Sequence, residues 1–265
     1  MCLILFAYHV HPRYPLIMAA NRDEFYERPS AQAHRWEDAP HIIAGRDLLK
    51  LGTWIGVSDS GQFAALTNYR NPLEQADGKR SRGELIAHFL KEQQTPAEYI
   101  QQMADDRDQY PGYNLLVGDR QSLYYYSNVG NEIQPLQPGI YGISNHLLDT
   151  DWPKVRSGKY GLDQIVRHMD EQEIDEQQLS DQLFALLQLT DRPEDEGLPN
   201  TGVSLEWERL LSSIFIDSQE QAYGTRSSTV LLMGEKEMIY RERVYSPDAR
   251  PEKRFVIPFS KENNR

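Results

Sequence analysis

Apolar runs of strand length, separated by short polar breaks, open this chain, and the period of the pattern changes further along. Residues 3–8 and 15–21 are nearly uninterrupted apolar runs, the form taken by strands covered on both faces. The intervening His9-Val10-His11-Pro12-Arg13-Tyr14 suits a hairpin connection. Strands are also predicted over 42–45, 53–58 and 62–68, the last two divided by the turn sequence Asp59-Ser60-Gly61. The pattern then becomes helical. Ser81 with Glu84, and Thr95 with Glu98, have capping-box spacing, and Pro96 takes the first helical position of the second. Leu85, Ile86, Phe89 and Leu90 supply an apolar face to the first of these helices.

Strand patterns return at 113–118, 122–127 and 139–144. Helical ones follow over 152–169, with interruptions, and 176–189, before an acidic, proline-containing loop at 191–202. The last strands are expected at about 228–233, 237–243 and 254–258. Blocks of strands, then helices, then strands predict an α+β layered architecture rather than alternating βαβ units. No repeat or linker divides the chain, so residues 1–265 are expected to form one domain.

Composition narrows the function classes. Hydrophobic residues make up 39% and charged residues 26%, the profile of a soluble globular protein. A net charge of -12 opposes binding to phosphate backbones, which makes nucleic acid an unexpected partner. The single cysteine can form no internal disulfide and no zinc cluster, so no metal is expected. No stretch is long and apolar enough to span a membrane, and the apolar start lacks a basic leader. A cytoplasmic protein is expected, with no integral membrane association. Its oligomeric state is left open.

The candidate chemistry begins at that cysteine. Cys2 directly follows the initiator methionine, and a small side chain at this position permits removal of Met1. The new terminus would carry a thiol and an α-amine on one residue, with ordinary pKa values of about 8.5 and about 7.7–8.0. Such a residue holds its own base. The second apolar run ends in Asn21-Arg22-Asp23-Glu24. In a hairpin this end lies near Cys2, where Asp23 can orient the amine and Arg22 can stabilise a thiolate or a substrate carboxylate. A further strand ends at Asn68, whose amide can donate to a developing oxyanion.

The combination of Met1-Cys2, Asn21-Arg22-Asp23-Glu24, Gly52-Thr53-Trp54 with Gly56-Val57, and Thr67-Asn68-Tyr69-Arg70-Asn71-Pro72 closely resembles the NRDE family, also called the transport and Golgi organisation 2 family. The resemblance runs from residue 1 to about 240. It implies a four-layer αββα sandwich of N-terminal-nucleophile hydrolase type, two stacked antiparallel sheets flanked by helices. More distantly the chain is similar to choloylglycine hydrolases and penicillin V acylases, which cleave amides with a cysteine exposed by processing.

Carried over by position, the resemblance implies Cys2 as nucleophile, Asp23 as the carboxylate that orients the amine, Asn68 and Asn145 as oxyanion or substrate amides, and Arg226 as a late active-site arginine. Asn21, Arg22, Glu24, Trp54, Tyr69 and Arg70 are expected around the substrate. Those hydrolases carry an arginine where this chain has Ala19; Arg22 supplies a charge, but its side chain is expected to point the other way along the strand. The activity implied is cleavage of an amide or thioester of a small acyl substrate through acyl transfer to Cys2, with no cofactor required. The alternative implied is a haem-binding or haem-trafficking protein, linked also to lipid and acyl-CoA homeostasis. It would hold haem non-covalently through Cys2, through a histidine such as His9, His11 or His146, or in an apolar pocket.

Overall fold

A computed structural model describes residues 2–92, 94–245 and 247–259, apart from the side chain of Asp170. In chain order its first elements are β1 (Cys2–Tyr8), β2 (Leu16–Phe25), β3 (Ser30–Trp36), β4 (Ala39–Asp47), β5 (Ile55–Ser58), β6 (Phe63–Asn68), α1 (Gly83–Lys91) and α2 (Pro96–Asp105). Then come β7 (Tyr113–Gly118), β8 (Leu123–Ser127), β9 (Glu132–Pro135), β10 (Gly139–Ile143), α3 (Pro153–Glu171) and α4 (Glu176–Leu187). The chain continues through α5 (Leu205–Leu210), β11 (Asp217–Ser218), β12 (Tyr223–Met233), β13 (Glu237–Val244) and β14 (Arg250–Pro258).

The strands form two antiparallel sheets. One runs β10-β1-β2-β12-β13-β14, with β11 pairing on β12, and the other runs β3-β4-β5-β6-β7-β8-β9. Strand alternation sorts the apolar side chains into layers. Along β1, Ile4, Phe6 and Tyr8 enter the core between the sheets, together with Met18, Ile55 and Leu116. Leu3, Leu5 and Ala7 face the other way, into a core closed by α3 and α4. A third core lies between the second sheet and the helices α1 and α2. Because both faces of β1 and β2 are covered, their sequences read as continuous apolar runs rather than as alternation.

The hairpin between the first two strands forms as expected, with His9 at φ 49° and its N–H donating to the Pro15 carbonyl at 2.7 Å. The Thr95 capping box also forms. The Ser81 box does not: α1 starts one residue later, with Arg82 as an N-cap that makes no side-chain hydrogen bond. Helix α3 is continuous where interruptions were expected. Its Gly158 and Gly161 are close-packing positions, since a Cβ there would stand 2.7 Å from Leu5 and 2.5 Å from Leu186. Four elements have no counterpart among the predicted ones. β3 and β9 are edge strands of their sheet, polar or largely exposed, β11 has two residues, and α5 is a six-residue helix. Edge strands and single helical turns carry little apolar periodicity to read.

Candidate active site

Register places Cys2 directly opposite Arg22. Paired residues on neighbouring strands share a face, so both side chains point towards the second sheet, as Ile4 and Met18 do. Arg22 thus lies on the opposite face from Ala19, which packs under the helices, and that face is the one carrying Cys2. The expected reversal of the side chain is what brings the charge to the thiol.

Between the sheets opens a cleft of about 400 Å3, lined by Cys2, Arg22, Asp23, Trp54, Leu66 and Asn68 among others. The Arg22 guanidinium lies over the Trp54 ring at 4.3 Å, 3.9 Å from Glu24 and 4.0 Å from Asp47. Its Nη1 is buried with no hydrogen-bond partner among the described residues. One wall depends on Gly52: a Cβ there would stand 2.4 Å from the Gly83 backbone. That close approach lets the start of α1 seal the cleft against the loop before β5, where Thr53 N–H donates to the Gly83 carbonyl at 3.2 Å.

Although the chain is strongly acidic, the cleft is not. Six basic residues (Arg22, Arg28, Lys50, Lys79, Arg80 and Arg82) line it against three acidic ones (Asp23, Glu24 and Asp47). Most of these cations are paired, Arg28 with Asp47, Arg80 with Glu84, and Lys79 and Arg82 with Glu74, so the excess available to an anion is smaller than the count of basic residues.

Burial pushes the Cys2 thiol above its ordinary pKa, and the Asp23 charge adds to that; Arg22 and the Asp23 backbone N–H oppose it. The resting thiol is therefore protonated at neutral pH and needs a base to become a nucleophile. Asp23 is itself raised by burial, against the opposing influence of Lys154, a hydrogen bond from Thr225 and Arg22. Thr225 Oγ1 donates to Asp23 Oδ1 at 2.7 Å.

The other expected site residues fall into different surroundings. Asn145 is fully buried and does not line the cleft; its Nδ2 donates to the Asn68 carbonyl at 2.9 Å, while the neighbouring Ser144 hydroxyl donates to the Cys2 carbonyl at 3.2 Å. Together they tie the strand of Cys2 to the strand of Asn68. Asn21 faces the helices, where its Nδ2 donates to the carbonyls of Leu187 and Ile214 at 2.8 and 2.9 Å, and its Oδ1 accepts from Ser228 at 2.5 Å. Arg226 sits at a bulge in β12. Its guanidinium donates to the carbonyls of Phe25 and Tyr26 at 3.0 and 2.9 Å and pairs with Asp248, and Arg226 is not among the residues lining the Cys2 cleft. Arg70 forms a buried pair with Glu208 at 2.9 Å and stacks over Trp152 at 4.8 Å. Tyr69 Oη bonds His146 Nε2 at 2.9 Å. Glu24 remains at the cleft, half-buried. The fate of Met1 lies outside the described residues.

Two buried groups were not singled out in the sequence. Lys154, in the first turn of α3, is 3% exposed, has no hydrogen-bond partner for Nζ among the described residues, and is pushed down to about 8 by burial. Glu242 on β13 is fully buried, accepts from the Ala33 N–H at 2.6 Å and is pushed up to about 7, again by burial. One signal for Lys154 was present: a cation in the first turn of a helix opposes the helix dipole. Glu242, in a mixed strand end, offered none. Among the described residues no group of three His, Cys, Asp or Glu side chains forms a metal site, and no helix is long and apolar enough to cross a membrane.

Comparison with known proteins fits this geometry. A family model described as "Transport and Golgi organisation 2" matches residues 1–247. The chain is 34% identical over 252 residues to the Transport and Golgi organization 2 homolog of Mus musculus, and 35% identical over 253 residues to the Homo sapiens protein, with 88% of both chains covered each time. Among solved structures it is similar to a Caenorhabditis elegans N-acylethanolamine-hydrolyzing acid amidase ortholog (TM-score 0.51, 12% identity, 87% of this chain and 92% of that one). It is also similar to the C2A mutant of the conjugated bile acid hydrolase from Clostridium perfringens (TM-score 0.54, 9% identity, 99% and 94%). At these identities the structural likeness is one of fold. The chain belongs to the transport and Golgi organisation 2 family, built on the fold of the N-terminal-nucleophile hydrolases.

Proposed function

We propose that the Cys2 cleft cleaves an amide or thioester bond of a small acyl substrate carrying an anionic group. The observation that carries this reading is the pairing of Cys2 with Arg22 across one register position, with Arg22 Nη1 unpartnered and an excess of basic side chains around them. A buried guanidinium nitrogen without an acceptor is costly unless a ligand or a developing charge supplies one.

In the proposed reaction Met1 has been removed. The Cys2 amine takes the thiol proton, and Sγ attacks the carbonyl carbon to give a tetrahedral oxyanion. Asn68, anchored by Asn145, donates to that oxyanion. The leaving amine or thiol departs with the proton carried by the Cys2 amine, leaving a thioester on Sγ. Water then adds to the thioester, the carboxylic acid leaves, and the thiol is restored. Asp23 holds the amine in place from the helix side of β2.

The haem alternative finds less support in the residues present. Among the described residues no histidine lines the Cys2 cleft. Both ring nitrogens of His146 are engaged, with Tyr69 and with Thr150 Oγ1 at 2.9 Å. His9 is exposed, and His11 lies in a different cleft beside Arg13 and Met169. A thiol held protonated by burial is also a poor axial ligand.

The test is intact mass spectrometry of protein made with its natural N-terminus, before and after exposure to an acyl thioester probe. Loss of Met1 together with one acyl adduct, absent in Cys2→Ala, is the expected result. Retained Met1, or equal acylation of the Cys2→Ala variant, would overturn the mechanism.

A further inference from the structure

Lys154 is placed where a lysine is costly for stability on three counts. It is almost completely buried, its Nζ has no hydrogen-bond partner among the described residues, and it sits two residues into α3, where the helix dipole repels a cation. Burying an ammonium without such a partner costs stability unless a nearby opposite charge compensates. The largest attractive influence on Lys154 is Asp23, followed by Cys2 and Glu208, with Arg70 opposing. Asp23 in turn feels Lys154 more strongly than Arg22. The Tyr223 phenol of β12, coupled to both Asp23 and Cys2, is held neutral by burial. Asp23, on the helix-facing side of β2, and Lys154 are both buried in the layer where α3 packs on β1, the strand beside β2.

A buried carboxylate beside the Cys2 amine creates a difficulty for the reaction proposed above. Its negative charge favours the ammonium form of that amine, and an ammonium cannot accept the thiol proton. A second cation on the same carboxylate removes the difficulty. We propose that Lys154 is a positioning residue of the nucleophile: its ammonium balances Asp23, so that Asp23 can orient the Cys2 amine without locking a proton onto it. No proton passes through Lys154 in this scheme. Below about pH 8 it stays charged while the amine cycles between its neutral and protonated forms.

The proposal rests on the acyl-transfer reading of Cys2, and the test separates the two. The rate of Cys2 alkylation by neutral iodoacetamide is followed from pH 5.5 to 9.5 ~ a range spanning both amines ~ on the full chain with Met1 removed. Lys154→Met is expected to move the midpoint up by about one pH unit, slowing alkylation about tenfold at pH 6.5 while leaving the high-pH rate unchanged. Removing both charges, in Asp23→Asn/Lys154→Met, is expected to bring the midpoint back towards that of the unmodified chain. Lys154→Arg, which keeps the charge, leaves it in place.

A folded Lys154→Met protein with an unshifted midpoint overturns the role of Lys154 and leaves the acyl-transfer reading standing. A midpoint shifted equally by Lys154→Arg also overturns it, because packing rather than charge would then be responsible. If Lys154→Met does not fold, Lys154→Gln is read by the same criterion. A Cys2 that reacts in the unmodified chain no faster than a free thiol sinks the underlying reading instead.

Discussion

On its sheet-facing side β2 presents Arg22 to a cleft shared with Cys2 and Trp54; on its helix-facing side it presents Asn21 and Asp23 to β12 and the helices. The same four-residue motif therefore serves two environments. The sheet-facing side leaves a hydrogen-bonding nitrogen unpartnered beside a thiol. The helix-facing side spends Asn21 on three hydrogen bonds that tie β2 to the end of α4, to the segment before β11 and to β12. Neighbouring polar residues in a strand end have separate roles because alternate side chains see different layers. A polar motif read as one unit hides that division.

The division can be broken most severely at Asp23, which touches both sides. Asp23→Asn keeps the shape and removes the charge proposed to hold the amine, and the plateau rate of Cys2 acylation is expected to fall about 100-fold, measured by single-turnover mass spectrometry. A fall below about threefold would mean that Asp23 is structural only. Next comes Asn21→Ala, expected to lower unfolding free energy by about 2–4 kcal/mol because two buried carbonyls and a hydroxyl lose their partner; urea denaturation reads this directly. Loss of acylation without loss of stability in that variant would contradict the division of β2.

Glu242 sharpens the comparison through pH. Its folded pKa of about 7 lies above the ordinary carboxyl value, so the folded state holds a proton that the unfolded chain releases. Stability from this group is complete below about pH 4.5 and is lost as pH rises through about 7. Glu242→Gln should accordingly be more stable than the unmodified chain at pH 8, by about 1–3 kcal/mol, and equal to it near pH 4. An unchanged pH–stability curve would show that burial of Glu242 is offset by Arg22. The smallest effect is expected at Lys50, exposed at the cleft lip. Lys50→Glu should slow labelling of Cys2 by an anionic thiol reagent about threefold relative to a neutral one, and added salt should erase the difference.

Much of the fold was legible because its strands are apolar and its helices amphipathic. The runs at 3–8 and 15–21, the exact span of β7 and the Thr95 capping box all follow from side-chain pattern and local hydrogen bonding. The edge strands β3 and β9 were not legible, since one-sided or shallow burial selects no clear period. The candidate site divides similarly. Cys2 and the strand-end motif stand out in sequence as a thiol beside charges. Lys154 and Glu242 do not, because a lysine or glutamate is exposed unless a distant element covers it.

The sequence by itself determined which segments become strands and helices, the hairpin that joins Cys2 to Asn21-Arg22-Asp23-Glu24, and the presence of one cysteine at the start of the chain. Those features rest on contacts within a few residues and on the alternation of apolar and polar positions. Only the tertiary structure decided that Arg22 faces Cys2 while Asn21 faces the helices, that a cleft lined mostly by basic residues opens in an acidic protein, and that Lys154 is buried at the start of α3. These depend on register and on the packing of α3 against β1, contacts between residues far apart in the chain. Their energies come from burial and charge proximity, which no local pattern encodes.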